Sequence, residues 1–127
     1  MTTLAEIREF EDSIYNLVDT DDWAEIEEKM DDEFLRLLID FVTWEVAVDK
    51  AWSARIHIHK KSHPDKKERE IASEAAAKVH LHAIEQHQRA GEAVRLAFLG
   101  ECGVQEAERK QQELFEAWGR ASRAGLV

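Results

Sequence analysis

Cysteine, proline and glycine are scarce in this chain. The one cysteine, Cys102, can close no disulfide within the chain and rules out a cysteine-built zinc site. A lone thiol makes the reducing cytoplasm the expected compartment. One proline, Pro64, and five glycines leave few points at which a helix is forced to stop. β-Branched residues never alternate for long, so strand signals are missing. No apolar run approaches the roughly 20 residues of a membrane-spanning helix. The segment "MTTLAEIREFEDS" lacks the basic start and apolar centre of a secretory signal. No membrane partner is expected. There is neither a glycine-rich phosphate loop nor a Gly-x-Ser-x-Gly elbow, and no cofactor is expected.

The residues that are present point to helices. With 127 residues, 44% hydrophobic and 35% charged, the chain is apolar enough to fold and suits a single helical domain over 1–127. Leu4, Ile7, Phe10, Ile14, Leu17 and Val18 fall at helical spacing, with Thr2 or Thr3 as the cap. "DTDD" at 19–22 reads as a turn, and Asp21 or Asp22 is placed to cap a second helix running from about 22 to about 61, with a break near "MDDE". Residues 34–48 are apolar around most of their circumference, which predicts a central position in the core. His63-Pro64 ends that helix, because the residue before proline disfavours helical geometry. Ser62 is a candidate cap for a third helix over about 65–99, whose narrow stripe is Ala72, Ala76, Val79, Ala83, Ala90, Val94 and Ala97. "GECG" at 100–103 breaks it. A fourth helix follows, with Val104, Ala107, Gln111, Leu114, Phe115, Trp118 and Ala121 on one face, and "RAGLV" frays. The expected fold is all-α, an antiparallel helical bundle around a long central α-hairpin with its tip near 62–65.

Charge is unevenly spread. The formal net charge is −10, yet residues 1–49 carry −13, residues 50–95 carry +4 with all six histidines, and residues 96–127 carry −1. The hairpin tip gathers Arg55, Lys60, Lys61, Lys66, Lys67 and Arg69, which predicts a contact for a polyanion or an acidic partner. No aromatic residue for base stacking lies in 53–70 and no nucleic-acid motif accompanies the cations, so nucleic acid and protein stand as alternatives there. The acidic third suits protein contacts, or self-association with the tip of another copy.

Glu45 and Asp49 fall within the apolar stripe of the second helix, four residues apart on one face. Carboxylates placed there need partners. Folding the hairpin at 63–64 sets them against the third helix near His80, His82 and His87, which predicts a buried polar cluster of Glu45, Asp49, His80, His82 and His87. The expected role is an ion pair that fixes register. No metal is assigned, since no histidine follows a glutamate by three residues, the pattern of carboxylate-bridged bundle sites.

Glu6-x-x-Glu9, then eighteen residues, then Glu28-x-x-Asp31 resembles the acidic pattern of the MazG-like nucleotide pyrophosphohydrolases. The resemblance implies magnesium held by paired carboxylates against a nucleotide triphosphate. It covers residues 6–31 only, and "DEFLRLL" sets Asp32 and Glu33 where apolar residues are expected. The leading reading is a non-catalytic helical subunit or adaptor of a larger assembly, with a protein partner. An acidic inhibitor that occupies a basic nucleic-acid-binding groove, of the kind phages encode, comes next. The metal-dependent hydrolase comes third.

Overall fold

Side-chain caps set where four of the five helices begin. In a computed structural model describing residues 3–125, five helices follow one another: α1 (Leu4–Arg8), α2 (Glu11–Val18), α3 (Trp23–Glu28), α4 (Asp32–Ile56) and α5 (Lys66–Arg123). Thr3 starts α1 with a reciprocal capping box: its hydroxyl accepts from the Glu6 N–H at 3.2 Å and its own N–H donates to the Glu6 carboxylate at 3.3 Å. Asp22 caps α3 through the Ala24 N–H, and Asp31 caps α4 through the Phe34 N–H. Thr2, the alternative cap, and the end of "RAGLV" at Leu126 and Val127 lie outside the described residues.

The structure corrects two boundaries. The first helix is two. The chain bends at Phe10 so that α1 packs on α4 while α2 packs on α5, a crossing that one straight helix would not make. The second helix parts at Lys29–Asp31, at the break expected near "MDDE", but α4 stops at Ile56, well short of 61. Side chains take over the backbone groups that would have continued it. The Ser62 hydroxyl donates to the His57 carbonyl at 2.9 Å, and the Lys61 N–H donates to His59 Nδ1 at 3.1 Å. Ser62 therefore braces the turn and does not cap α5. Asp65 does, accepting from the N–H groups of Lys67 and Glu68.

Among the described residues there is no strand, and the dominant packing is α4 against α5 in an antiparallel hairpin. The core lies at its base. Ile7, Ile14, Val18, Trp23 and Ile26 of the short helices close over Phe34, Leu38, Phe41 and Val42 of α4 and Ala90, Val94 and Phe98 of α5. This accounts for the all-round apolarity of 34–48, since α5 covers one side and the short helices another. The buried line of α5 runs through His80, Ala83, Ala90, Val94 and Phe98. Val79, expected on it, is 62% exposed, and Ala97 is also exposed. The step from Ala76 to the buried face is four residues, not three, which moves the seam onto His80.

Gly100 has φ 74° and ψ 169°, outside helical geometry and open to a residue without a Cβ. It interrupts α5 where the sequence predicts a break. The arm beyond it, residues 101–123, is again helical. None of its residues is buried.

Candidate functional site

The tip is a turn held together by its own polar groups. Ser62 bonds the carbonyls of His57 and His59, and Arg69 donates to the His63 carbonyl at 3.1 Å. Arg55 folds back along the hairpin, with Nη1 3.0 Å from His80 Nδ1 and its guanidinium 5.9 Å from the Trp52 ring centre. Two of the six tip cations thus hold the scaffold. The other four, Lys60, Lys61, Lys66 and Lys67, are exposed. None makes an ion pair or a side-chain hydrogen bond among the described residues, where the ion pairs join neighbours three or four apart on one helix or across the α1–α2 bend. The main core cluster ends on α4 at Val42, and Ala51 is the one buried α4 residue beyond it, five residues before Ile56, so the tip projects past the packed part of the hairpin.

The acidic end is as little neutralised. Residues 1–33 hold 13 Asp/Glu and two basic residues, Arg8 and Lys29. Arg8 pairs with Glu11, and that hydrogen bond holds its guanidinium pKa above the ordinary value. Lys29 leaves the acids altogether: its ammonium donates to the Phe98 carbonyl at 2.7 Å and lies 4.4 Å from the Phe98 ring centre.

A groove of about 830 Å³ lies between α2 and the hairpin, lined by Ser13, Leu17, Phe41, Glu45, His87 and Gly91 among others. Glu45 accepts a 2.5 Å hydrogen bond from the Ser13 hydroxyl. The His87 ring stacks on Phe41, centres 4.7 Å apart and planes 20° from parallel. Glu45 Oε2 and His87 Nε2 are both buried and meet no partner. No hydrogen bond joins Ser13 to His87, so the trio lacks the base-to-hydroxyl contact of an activated nucleophile.

The other expected cluster members are spread along the hairpin. Asp49 is exposed, and His82 is exposed with its ring 5.7 Å, edge-on, from Trp44. His80 is buried, 5.6 Å from Trp52. Each of the three histidines meets an aromatic ring of α4. Ser13, beside the buried Ile14, is the groove residue that sequence reasoning passed over; its only signal was a hydroxyl next to the apolar stripe.

Two of the four carboxylates of the MazG-like pattern serve as structural groups. Glu6 closes the capping box and Asp31 caps α4. Among the described residues no three His, Cys, Asp or Glu side chains gather closely enough to hold a metal ion. No helix among them is long and apolar enough to cross a membrane. Cys102 is exposed just past the Gly100 break. Compared with protein-family models, curated proteins and solved structures, the chain matches none of them. Its functional reading therefore rests on its own geometry.

Proposed function

We propose that this protein is a non-catalytic helical adaptor of a larger assembly, presenting its basic tip to a polyanion or an acidic protein surface and its acidic end to a protein partner. The observation that carries this reading is the set of four exposed lysines, Lys60, Lys61, Lys66 and Lys67, with no ion-pair partner among the described residues, on a braced turn at the end of the hairpin. Solvated lysines at a turn need no bracing. Here Ser62, Arg69 and Asp65 fix the backbone that carries them. Binding of this kind is sequence-independent and falls steeply with salt.

The test is titration of the chain with a short single-stranded oligonucleotide and, separately, with polyglutamate, over a series of salt concentrations. The quadruple variant Lys60→Glu, Lys61→Glu, Lys66→Glu, Lys67→Glu is run beside it. Binding to either probe, with a log–log salt slope that the variant abolishes and affinity reduced at least about tenfold, supports the reading; roughly one counter-ion is released per phosphate neutralised. The stronger probe identifies the partner class. Equal binding by the variant, or no binding to either probe at low salt, removes the tip from the function.

A second reading draws on the other end. With Arg8 and Lys29 both engaged, the acids of residues 1–33 form a largely uncompensated negative surface. That surface suits an inhibitor that fills a basic groove in place of nucleic acid. It is distinguished by charge-neutral substitutions at Asp21, Glu25 and Glu28, which abolish inhibition of a nucleic-acid-binding partner while leaving polyanion binding at the tip intact.

A further inference from the structure

The arm 101–123 carries the most exposed of the large apolar side chains among the described residues, Leu114 at 72%, Phe115 at 73% and Trp118 at 63% exposed. No side-chain hydrogen bond or ion pair among the described residues ties the arm to the rest; its side-chain polar contacts are internal, Gln112 to Glu116 and Glu106 to Arg109 and Lys110. A helix of this length in water draws most of its stability from packing of its apolar face, and here that face is uncovered. We infer that the arm pairs, antiparallel, with the same arm of a second copy of this chain.

Three features select that occupant. The first is spacing. Val104, Ala107, Gln111, Leu114, Trp118 and Ala121 follow one another at steps of three, four, three, four and three, the seam of a two-stranded coiled coil, with Phe115 flanking it next to Leu114. The second is shape. An antiparallel pair centred between Gln112 and Glu113 sets Trp118 over Ala107 of the other copy, Val104 against Ala121, and Gln111 against Leu114. Large residues then meet small ones along the seam. A parallel pair would put Trp118 against Trp118 and leave a gap where Ala107 faces Ala107. The third is charge. Residues 101–108 hold three acids and no base, while residues 117–123 hold two arginines and no acid. Glu101, Glu108, Arg120 and Arg123 have no ion-pair partner among the described residues. Antiparallel pairing brings each acidic end within about one turn of the basic end of the other copy; parallel pairing sets like charges together.

The resulting dimer is closed and mainly apolar, so it survives salt that screens surface charge. This separates it from head-to-tail association through the tip, and from the proposed function, which uses other residues. Sedimentation equilibrium from about 1 to about 100 μM, at low salt and at about 1 M, gives a dimer in both conditions. Leu114→Glu with Trp118→Glu, checked for unchanged helix content, weakens it at least about 100-fold, because a charge is forced into the seam from both copies. In a Cys102→Ser background, Val104→Cys mixed with Ala121→Cys oxidises to the mixed disulfide in preference to either self-disulfide. A monomer across the range, a dimer indifferent to the glutamate pair, or a predominance of self-disulfides overturns the inference.

Discussion

The base and the tip of the α4–α5 hairpin are made from the same two helices, yet they are held differently. At the base Leu38 and Val94 are fully buried under α1–α3, whereas toward the tip Trp52, Ile56 and Ile71 are each more than half exposed. Two helices alone bury only the positions that face each other; residues flanking the seam need a third layer. The short acidic helices supply that layer at one end and nothing supplies it at the other. The distal hairpin therefore relies on narrow contacts, an alanine line and ring-to-ring packing of His80 on Trp52 and His82 on Trp44. A projecting, lightly packed end with free cations suits contact, and the packed end suits support.

The contrast can be broken most directly by paired truncations. Leu38→Ala, at a fully buried site, is expected to lower unfolding stability by about 2–5 kcal/mol. Ile71→Ala, at 62% exposure, is expected to cost about 0.5 kcal/mol or less. Urea denaturation midpoints check both, and equal costs would mean that the two ends share one core. Next comes the groove. Ser13→Ala leaves the Glu45 carboxylate without its hydroxyl donor and is expected to cost about 1–3 kcal/mol. Combining it with Glu45→Leu is expected to recover much of that loss, read as a coupling in a double-mutant cycle.

Caps sharpen the comparison on a smaller scale. Asp31→Ala removes the bond to the Phe34 N–H beside the core and is expected to lower global stability by about 1 kcal/mol. Asp65→Ala removes a similar cap at the tip but is expected to show as faster amide exchange at 66–70, with little change in the urea midpoint. The smallest effect is at alkaline pH. Partial burial, and then the hydrogen bond donated to Glu11, raise the Tyr15 phenol pKa. The folded chain thus holds that proton more tightly than the unfolded one. Its contribution is complete below the unfolded value of about 10 and is lost as pH rises through the higher folded value. Tyr15→Phe should flatten the fall of stability with pH above about 10, measured against the parent.

Much of the fold was legible because it is local. Pro64 lies in the turn of the hairpin and Gly100 interrupts α5, both as read from the sequence, and Thr3 and Asp22 are caps at expected positions. The end of α4 was not legible. It depends on Ser62 reaching back to His57, a contact made only after the turn has formed. Pairing His80, His82 and His87 with aromatic rings was equally hidden. Helical spacing places a residue on a face but does not choose between a carboxylate and a ring on the opposing helix. Ser13 as the partner of Glu45 needed the path of α2 across the hairpin, 32 residues away in sequence.

By itself the sequence determined that this chain is helical, where its long hairpin turns, and how its charge divides, because caps, breakers and charge counts act over a few residues. Tertiary structure decided which apolar residues are covered. Residues 114–118 and 34–38 are both apolar at helical spacing, but α1–α3 close over Phe34 and Leu38, while Leu114 and Trp118 stay in the open. Burial is a property of what packs against a face, and no single helix carries that information.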